Sequence, residues 1–206
     1  MLDRKKHWEH VYQNKSPLEV SWYQGNPALS LRLIGNAGID TDAAVIDVGG
    51  GASMLVDKLS EAGFTDISVL DVSASALAHA KQRLVDKADE VSWFEQDVTG
   101  FNPSRQYDLW HDRAVFHFLI SKKDRELYIA SLKKALKPGG HLIIMAFASD
   151  GPLKCSGLEI VQYDAVKLMT ELGPDFQMVE KGHEIHKTPA GNQQKFAYFR
   201  LIHTPE

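Results

Sequence analysis

From Ala43 to Phe147, short apolar runs alternate with longer stretches in which apolar side chains recur every third or fourth position. Short continuous runs suit strands buried on both faces, and the longer recurrence suits helices lying on a sheet. The pattern predicts strands over 43–48, 67–71, 91–95, 106–111 and 140–147, and helices over 53–62, 74–86 and 122–136. Strands that alternate with helices imply a parallel sheet covered on both sides. Upstream, Trp8, Val11 and Tyr12 predict a short amphipathic helix within 4–14. Asn26-Pro27 starts a second helix through Leu29, Leu31, Leu33 and Ile34, which Gly35 and Gly38 end. Downstream, 163–172 reads as a helix closed by Gly173-Pro174, and 176–186 and 194–203 read as two strands joined by the turn-rich Thr188 to Asn192.

Bulk properties narrow the function classes. With 206 residues the chain fits one domain, 1–206, with a sizeable core. A net charge of −4 supplies no general basic field for a polynucleotide, so a nucleic-acid partner is not expected. Cys155 is the sole cysteine, which excludes an internal disulfide and suits a reducing compartment. The stretch Met1 to Lys6 leads into Trp8, Glu9 and His10 instead of an apolar signal core. No apolar run is long enough to span a bilayer. A cytoplasmic enzyme with no membrane partner is the expectation, and oligomeric state is not legible.

Candidate chemistry concentrates where the first predicted strand ends, in Asp47-Val48-Gly49-Gly50-Gly51-Ala52-Ser53. Backbone without Cβ atoms can turn sharply and approach a ligand, and the helix that follows presents free N–H groups to its anionic part. Asp71 closes the next strand at 71 − 51 = 20 positions beyond Gly51. An acid at that distance is placed to accept hydrogen bonds from both ribose hydroxyls of an adenosine ligand. A dinucleotide fingerprint counted from Gly49 would need glycine or alanine at Met54, whose bulk weakens an NAD reading.

The alternative spacing, acid-x-Gly-x-Gly with Ser53 where a third glycine would stand, resembles the first motif of the class I S-adenosylmethionine-dependent methyltransferases. Trp93 to Val98, Tyr107 to Asp112, and Leu136-Lys137-Pro138-Gly139-Gly140 with His141 to Phe147 are similar to that family's later motifs, in the same order. The resemblance covers about residues 40 to 150 and implies a Rossmann-like, doubly wound α/β sheet of seven strands, mostly parallel with an antiparallel C-terminal hairpin strand. It also implies S-adenosyl-L-methionine as cofactor, S-adenosyl-L-homocysteine as product, and a division into an N-terminal helical lid, 1–40, and a catalytic core, 41–206. Metal is not expected, since His183 and His186 form half a site at most.

Residue by residue, the resemblance implies that Asp47, Gly49, Gly50, Gly51 and Ser53 face the methionine portion. Asp71, with Val72 and Ser73 beside it, would hold the ribose, Asp97 would accept from the adenine amino group, and Val72 and Val98 would sandwich the ring. Strand-end acids also serve as caps or solvated loop groups, which leaves Asp97 open between the two roles. Trp22, with Trp8 and Tyr12, is similar to the family's aromatic lid, where a ring facing a sulfonium gains about 0.5 to 2 kcal/mol. His111 and Asp112, at the end of the fourth strand, are the candidate bases for an acceptor that must lose a proton, with His117 and His186 behind them. A small molecule accepting at N, O or S is the leading expectation. A protein lysine is the runner-up, though the acid-lysine-glycine signature of that branch is replaced by Asp112-Arg113-Ala114, and a non-catalytic cofactor-binding module is the rival. Residues 151–158, around Cys155, read as an irregular loop on the same edge of the sheet.

Overall fold

The computed structural model describes residues 3–205. Helix α1 (Arg4–Asn14) and helix α2 (Ala28–Ala37) precede a core of β1 (Val45–Val48), α3 (Leu55–Glu61), β2 (Ile67–Asp71), α4 (Ala74–Leu84), β3 (Ser92–Glu95), β4 (Tyr107–Arg113), α5 (Lys122–Ala135) and β5 (Leu136–Phe147). A small hairpin follows, β6 (Lys154–Cys155) with β7 (Leu158–Glu159), then α6 (Ala165–Leu172), β8 (Phe176–Lys187) and β9 (Gln193–His203). Seven strands form one sheet in the order β3-β2-β1-β4-β5-β9-β8. All neighbouring pairs from β3 to β5 are parallel, and β9 runs antiparallel to both β5 and β8. The chain winds outward from β1 to β3, then returns to place β4 on the other side of β1, so strand order reverses between β1 and β4. Crevices form beyond the carboxyl ends of strands at such a switch point.

Strand alternation divides the interior into two layers. Ile46, Val48, Trp110, Leu142 and Ile144 face one side, where α5 and α6 bring Tyr128, Leu132 and Leu168 against them. Val45, Leu109, Ile143 and Met145 face the other, covered by Leu33 and Ile34 of α2, Leu55 and Leu59 of α3, and Leu77 and Ala80 of α4. Asp47 and His111 share the parity of Val45 and Leu109, and they are register partners across the β1/β4 pair. Asp112 shares the parity of Trp110 and enters the opposite layer.

Several boundaries differ from the pattern reading for local reasons. Helix α2 runs through Gly35, where an added Cβ would meet nothing within 4 Å, and stops at Gly38 in a left-handed conformation, φ 66°. Helix α4 ends at Leu84, and β4 continues to Arg113 because its ladder with β5 extends that far. Strand β5 starts before Pro138, since Leu136 already pairs with Tyr107. The expected irregular loop at 151–158 contains the β6/β7 hairpin, whose two central residues, Ser156 and Gly157, have φ 51° and 77°. Positive φ at both centres matches the right-handed twist of the flanking strands. No helix among the described residues is long and apolar enough to cross a membrane.

Asp112 shows how the layer beneath α5 is secured. Its carboxylate accepts from Val115 N at 2.9 Å, from Phe116 N at 3.1 Å and from the Tyr128 hydroxyl at 2.7 Å. The same hydroxyl accepts from Trp110 Nε1 at 2.9 Å. Tyr128→Phe removes a donor from a fully buried carboxylate and the acceptor from a buried indole, so it should cost about 1–3 kcal/mol. The expected readout is a lower denaturant midpoint with an unchanged slope; an unchanged midpoint would show that the network carries no stability.

Candidate functional site

Beyond β1 the chain turns through three glycines, and at each the surroundings leave no room for a side chain. Gly49, φ 71°, would drive a Cβ into Val115; Gly50 would strike the Asp47 carboxylate; and Gly51 would strike both Asp71 and Ala76. The Gly49 N–H is given to Leu70 O at 2.7 Å, which ties the turn to the end of β2. Ser53 Oγ accepts from Leu55 N at 3.1 Å and so serves the start of α3, while Ser53 also lines a cavity described below. Arg83, which the pattern reading missed, donates to Ser53 O at 2.6 Å and pairs with Asp57 at 2.7 Å, pinning the loop from α4.

Two cavities open along this edge. The first has a volume of about 100 Å³, enough for several water molecules. Gly49, Asp71, Val72, Asp97 and Val98 form its floor. Asp71 is 8% exposed, and its Oδ1 accepts from Ser73 N at 2.8 Å. Burial pushes the Asp71 carboxyl up to about 7, against the pull of N–H groups from Ser73, Gly51 and Val72. Ser73 is placed differently from expectation: it lines neither cavity, its hydroxyl caps α4 at Ala76 N and donates to Glu9 at 2.8 Å.

The roof of the first cavity is α1. Arg4, Trp8 and Tyr12 repeat at four-residue intervals, which sets them on one helix face, and all three line the cavity together with Trp22. Trp22 Nε1 donates to the Tyr12 hydroxyl at 3.0 Å, and Trp8 meets Trp22 edge to face with ring centres 5.5 Å apart. Glu9 fastens the helix to the start of α4 through Ser73 and Ser75. Arg4 donates to Asp97 at 2.8 Å and to Asp124 at 2.9 Å. Asp97 also accepts from Thr99 N at 2.9 Å and Thr99 Oγ1 at 2.7 Å. Burial opposes ionisation of Asp97, but Arg4 and Thr99 outweigh it and hold the carboxyl below its ordinary range. Asp97 caps the turn at Thr99, which is one of its two sequence readings, and it also lines the cavity.

The second cavity adjoins the first, sharing Tyr12, Trp22, Gly49 and Arg113 as walls. Asp47, Ser53 and His111 line it, as does Ser30 from α2. His111 Nδ1 lies 2.7 Å from Asp47 Oδ1, and Nε2 lies 2.9 Å from Ser30 Oγ. Asp47 Oδ2 is buried without a partner. Arg113 donates from Nη1 to Trp22 O at 2.9 Å and stacks its guanidinium 4.7 Å from the Phe196 ring centre. Burial lowers its pKa to about 10.

The two candidate bases, His111 and Asp112, do not reach the same cavity. Neighbours on a strand point to opposite faces, so His111 reaches the second cavity while Asp112 is saturated in the layer beneath α5. Burial raises the Asp112 carboxyl to about 6. His117 is fully buried, accepts from Phe147 N, and is pushed down to about 3 by burial and then by Arg113. His186 donates to or accepts from no cavity group; its Nε2 donates to Ser21 O at 2.8 Å. Cys155 lines the first cavity as a buried thiol whose pKa burial raises to about 11, so it stays protonated.

Comparison with known proteins agrees with this geometry. A family model described as a methyltransferase domain matches residues 46–142, from β1 into β5. The chain is 23% identical to the eEF1A lysine and N-terminal methyltransferase of Danio rerio, over 79% of this chain and 24% of that protein. It is 29% identical to thiocyanate methyltransferase 1 of Arabidopsis thaliana, over 68% of this chain and 60% of the relative. It therefore spans about a quarter and about three-fifths of these two relatives' lengths. The structure of the N-methyltransferase NodS from Bradyrhizobium japonicum, in complex with S-adenosyl-L-homocysteine, superposes with a TM-score of 0.71 at 19% identity, covering 99% of this chain and 100% of that one. The matched methyltransferase domain, the order of the seven strands and the glycine turn between β1 and α3 are together similar to the class I S-adenosylmethionine-dependent methyltransferases, whose fold this chain shares.

Proposed function

We propose that the chain transfers the methyl group of S-adenosyl-L-methionine to an N, O or S atom of a small molecule. The observation that carries this reading is the paired wall of the first cavity: a glycine turn with no space for side chains beside an acid, Asp71, that ends β2 and faces the same opening. The residues present fit the cofactor. Asp71 would accept from the ribose hydroxyls, Val72 and Val98 would flank the adenine, and Asp97 would share its carboxylate between Arg4 and the adenine amino group. The unpartnered Asp47 Oδ2 would accept from the methionine ammonium, with Gly49, Gly50 and Gly51 giving close backbone approach and Ser53 beside them. The cofactor supplies a methyl group already activated on a positively charged sulfur.

This chain contributes alignment and exclusion of water to an in-line displacement with a good leaving group. Helix α1 and the chain from it into α2 serve as the lid, with Trp8, Tyr12 and Trp22 presenting aromatic surface to the positive charge. The thiocyanate methyltransferase relative favours a small acceptor. The lysine and N-terminal methyltransferase relative favours a protein amine as the second reading. Labelled S-adenosyl-L-methionine given to separated low-molecular-weight and protein fractions of a cell extract distinguishes them. Label in the small fraction is expected; label in protein alone would establish the second reading, and tight cofactor binding with no label anywhere would mean a non-catalytic module.

Two predictions concern the cofactor. Asp71→Ala should weaken S-adenosyl-L-homocysteine binding by about tenfold or more, because one charge-accepted hydrogen bond is worth roughly 1.5–3 kcal/mol. Unchanged affinity in the folded variant would remove Asp71 from the site. The second is a pH dependence. Burial raises the Asp71 carboxyl to about 7, so the ionised form that accepts from hydroxyls is lost as pH falls through that value. Affinity for S-adenosyl-L-homocysteine should decline steadily from about pH 8 to about pH 6, well above the ordinary carboxylate range. Flat affinity across that interval in a calorimetric titration would contradict the assignment.

A further inference from the structure

The second cavity gathers a serine, a histidine and an aspartate from three distant segments. Asp47 and His111 meet because they are register partners on β1 and β4, on the face that α2 covers, and α2 contributes Ser30. Ser30 is 1% exposed, and Asp47 and His111 are 2% exposed. A carboxylate accepts only, and a neutral imidazole has one donor nitrogen and one acceptor nitrogen. With Nδ1 2.7 Å from Asp47 Oδ1, the proton belongs on Nδ1, and Nε2 is left to accept from the Ser30 hydroxyl at 2.9 Å. The Ser30 oxygen then retains lone pairs for a further donor, and Ser30 lines the second cavity.

We propose that Ser30, His111 and Asp47 form a proton relay that deprotonates the methyl acceptor, whose nucleophile is therefore an amine, hydroxyl or thiol and not an anion that arrives without a proton. The proposal rests on the methyl-transfer reading and names the acceptor class of that same site. The acceptor's lone pair forms the new bond to the methyl carbon while the electron pair of the S–CH3 bond withdraws onto sulfur. The acceptor's proton passes to Ser30 Oγ as the Ser30 proton passes to His111 Nε2, leaving an imidazolium against Asp47. In sum, a sulfonium and an X–H acceptor become a thioether, an X–CH3 product and one proton that returns to water. Ser30 is the catalytic residue, because it meets the acceptor; His111 and Asp47 act through it.

Other charged or titratable groups surround His111. Arg113, Tyr12 and Tyr23 also line the cavity, and Asp112 lies on the other face of β4. Ile143, the register partner of His111 on β5, is apolar. Arg113 is the one permanent cation among these.

The test uses the full chain saturated with S-adenosyl-L-homocysteine and labelled with nitrogen-15 in histidine. Nuclear magnetic resonance is expected to show the neutral His111 ring carrying its proton on Nδ1, with Nε2 shifting when Ser30→Ala removes its donor. An Nε2-protonated tautomer, or an imidazolium across the whole stability range, would overturn the relay. A kinetic arm measures label transferred from S-adenosyl-L-methionine to the low-molecular-weight extract as a function of pH. Ser30→Ala should lower the limiting rate at neutral pH by about tenfold to a hundredfold, with half-saturating cofactor within about twofold, and should recover at alkaline pH as the acceptor ionises unaided. A loss equal at every pH would overturn the relay, because a serine that merely anchors α2 has no reason to track acceptor ionisation. Failure of the unmodified protein to bind S-adenosyl-L-homocysteine would sink the methyl-transfer reading instead, and the tautomer would still decide the hydrogen-bond pattern.

Discussion

At Gly49, Gly50 and Gly51, just beyond β1, the backbone passes through a space too narrow for a side chain, and the site is arranged around that passage. Gly49 is pressed against Val115 after β4, Gly50 against Asp47, and Gly51 against Asp71 and Ala76 at the junction of β2 with α4. Three strand ends are thereby drawn close together. Glycine at each position costs roughly 0.5–1 kcal/mol in chain entropy, a cost that buried neighbouring strands can carry. In return, the acid of β1, the acid of β2 and the histidine of β4 converge on one edge of the sheet. A methyl or larger group at Gly51 would displace Asp71 from the cavity floor, so the turn and the acid are one device.

Strand parity settles the division of labour among the polar groups near that edge. In a strand buried on both faces, successive residues enter different layers whatever their chemistry. His111 goes to the layer beneath α2, finds Asp47 and Ser30, and lines the second cavity. Asp112 goes to the layer beneath α5 and is consumed by Val115, Phe116 and Tyr128. The turn after β4 that Asp112 secures carries Val115, the residue against which Gly49 packs. A buried acid that lines neither cavity therefore helps shape the glycine turn from behind.

The strands, the glycine turn and Asp71 were legible in the chain because each leaves a local mark: a short apolar run, a glycine cluster, an acid at a set interval. Strand parity was also available in principle. His111 and Asp112 are adjacent, and period-two alternation alone forbids them from sharing a face. Ser30 was not legible, since a serine within an apolar helix gives no sign of its partners until β1 and β4 are set side by side. Arg4 was missed because its ties to Asp97 and Asp124 cross about half the chain, although its spacing from Trp8 and Tyr12 marks one helix face. The β6/β7 hairpin was hidden by its brevity, with Ser156 and Gly157 standing as its entire turn.

The central claim is that the glycine turn and Asp71 build a site for an adenosine cofactor with a short sulfur-bearing tail, and not for a dinucleotide. Calorimetric titration of the purified chain with S-adenosyl-L-homocysteine, with NAD run under the same conditions, tests it most directly. The account predicts saturable micromolar binding of S-adenosyl-L-homocysteine and no heat from NAD. Binding of NAD without binding of S-adenosyl-L-homocysteine would contradict it and assign the turn to a pyrophosphate.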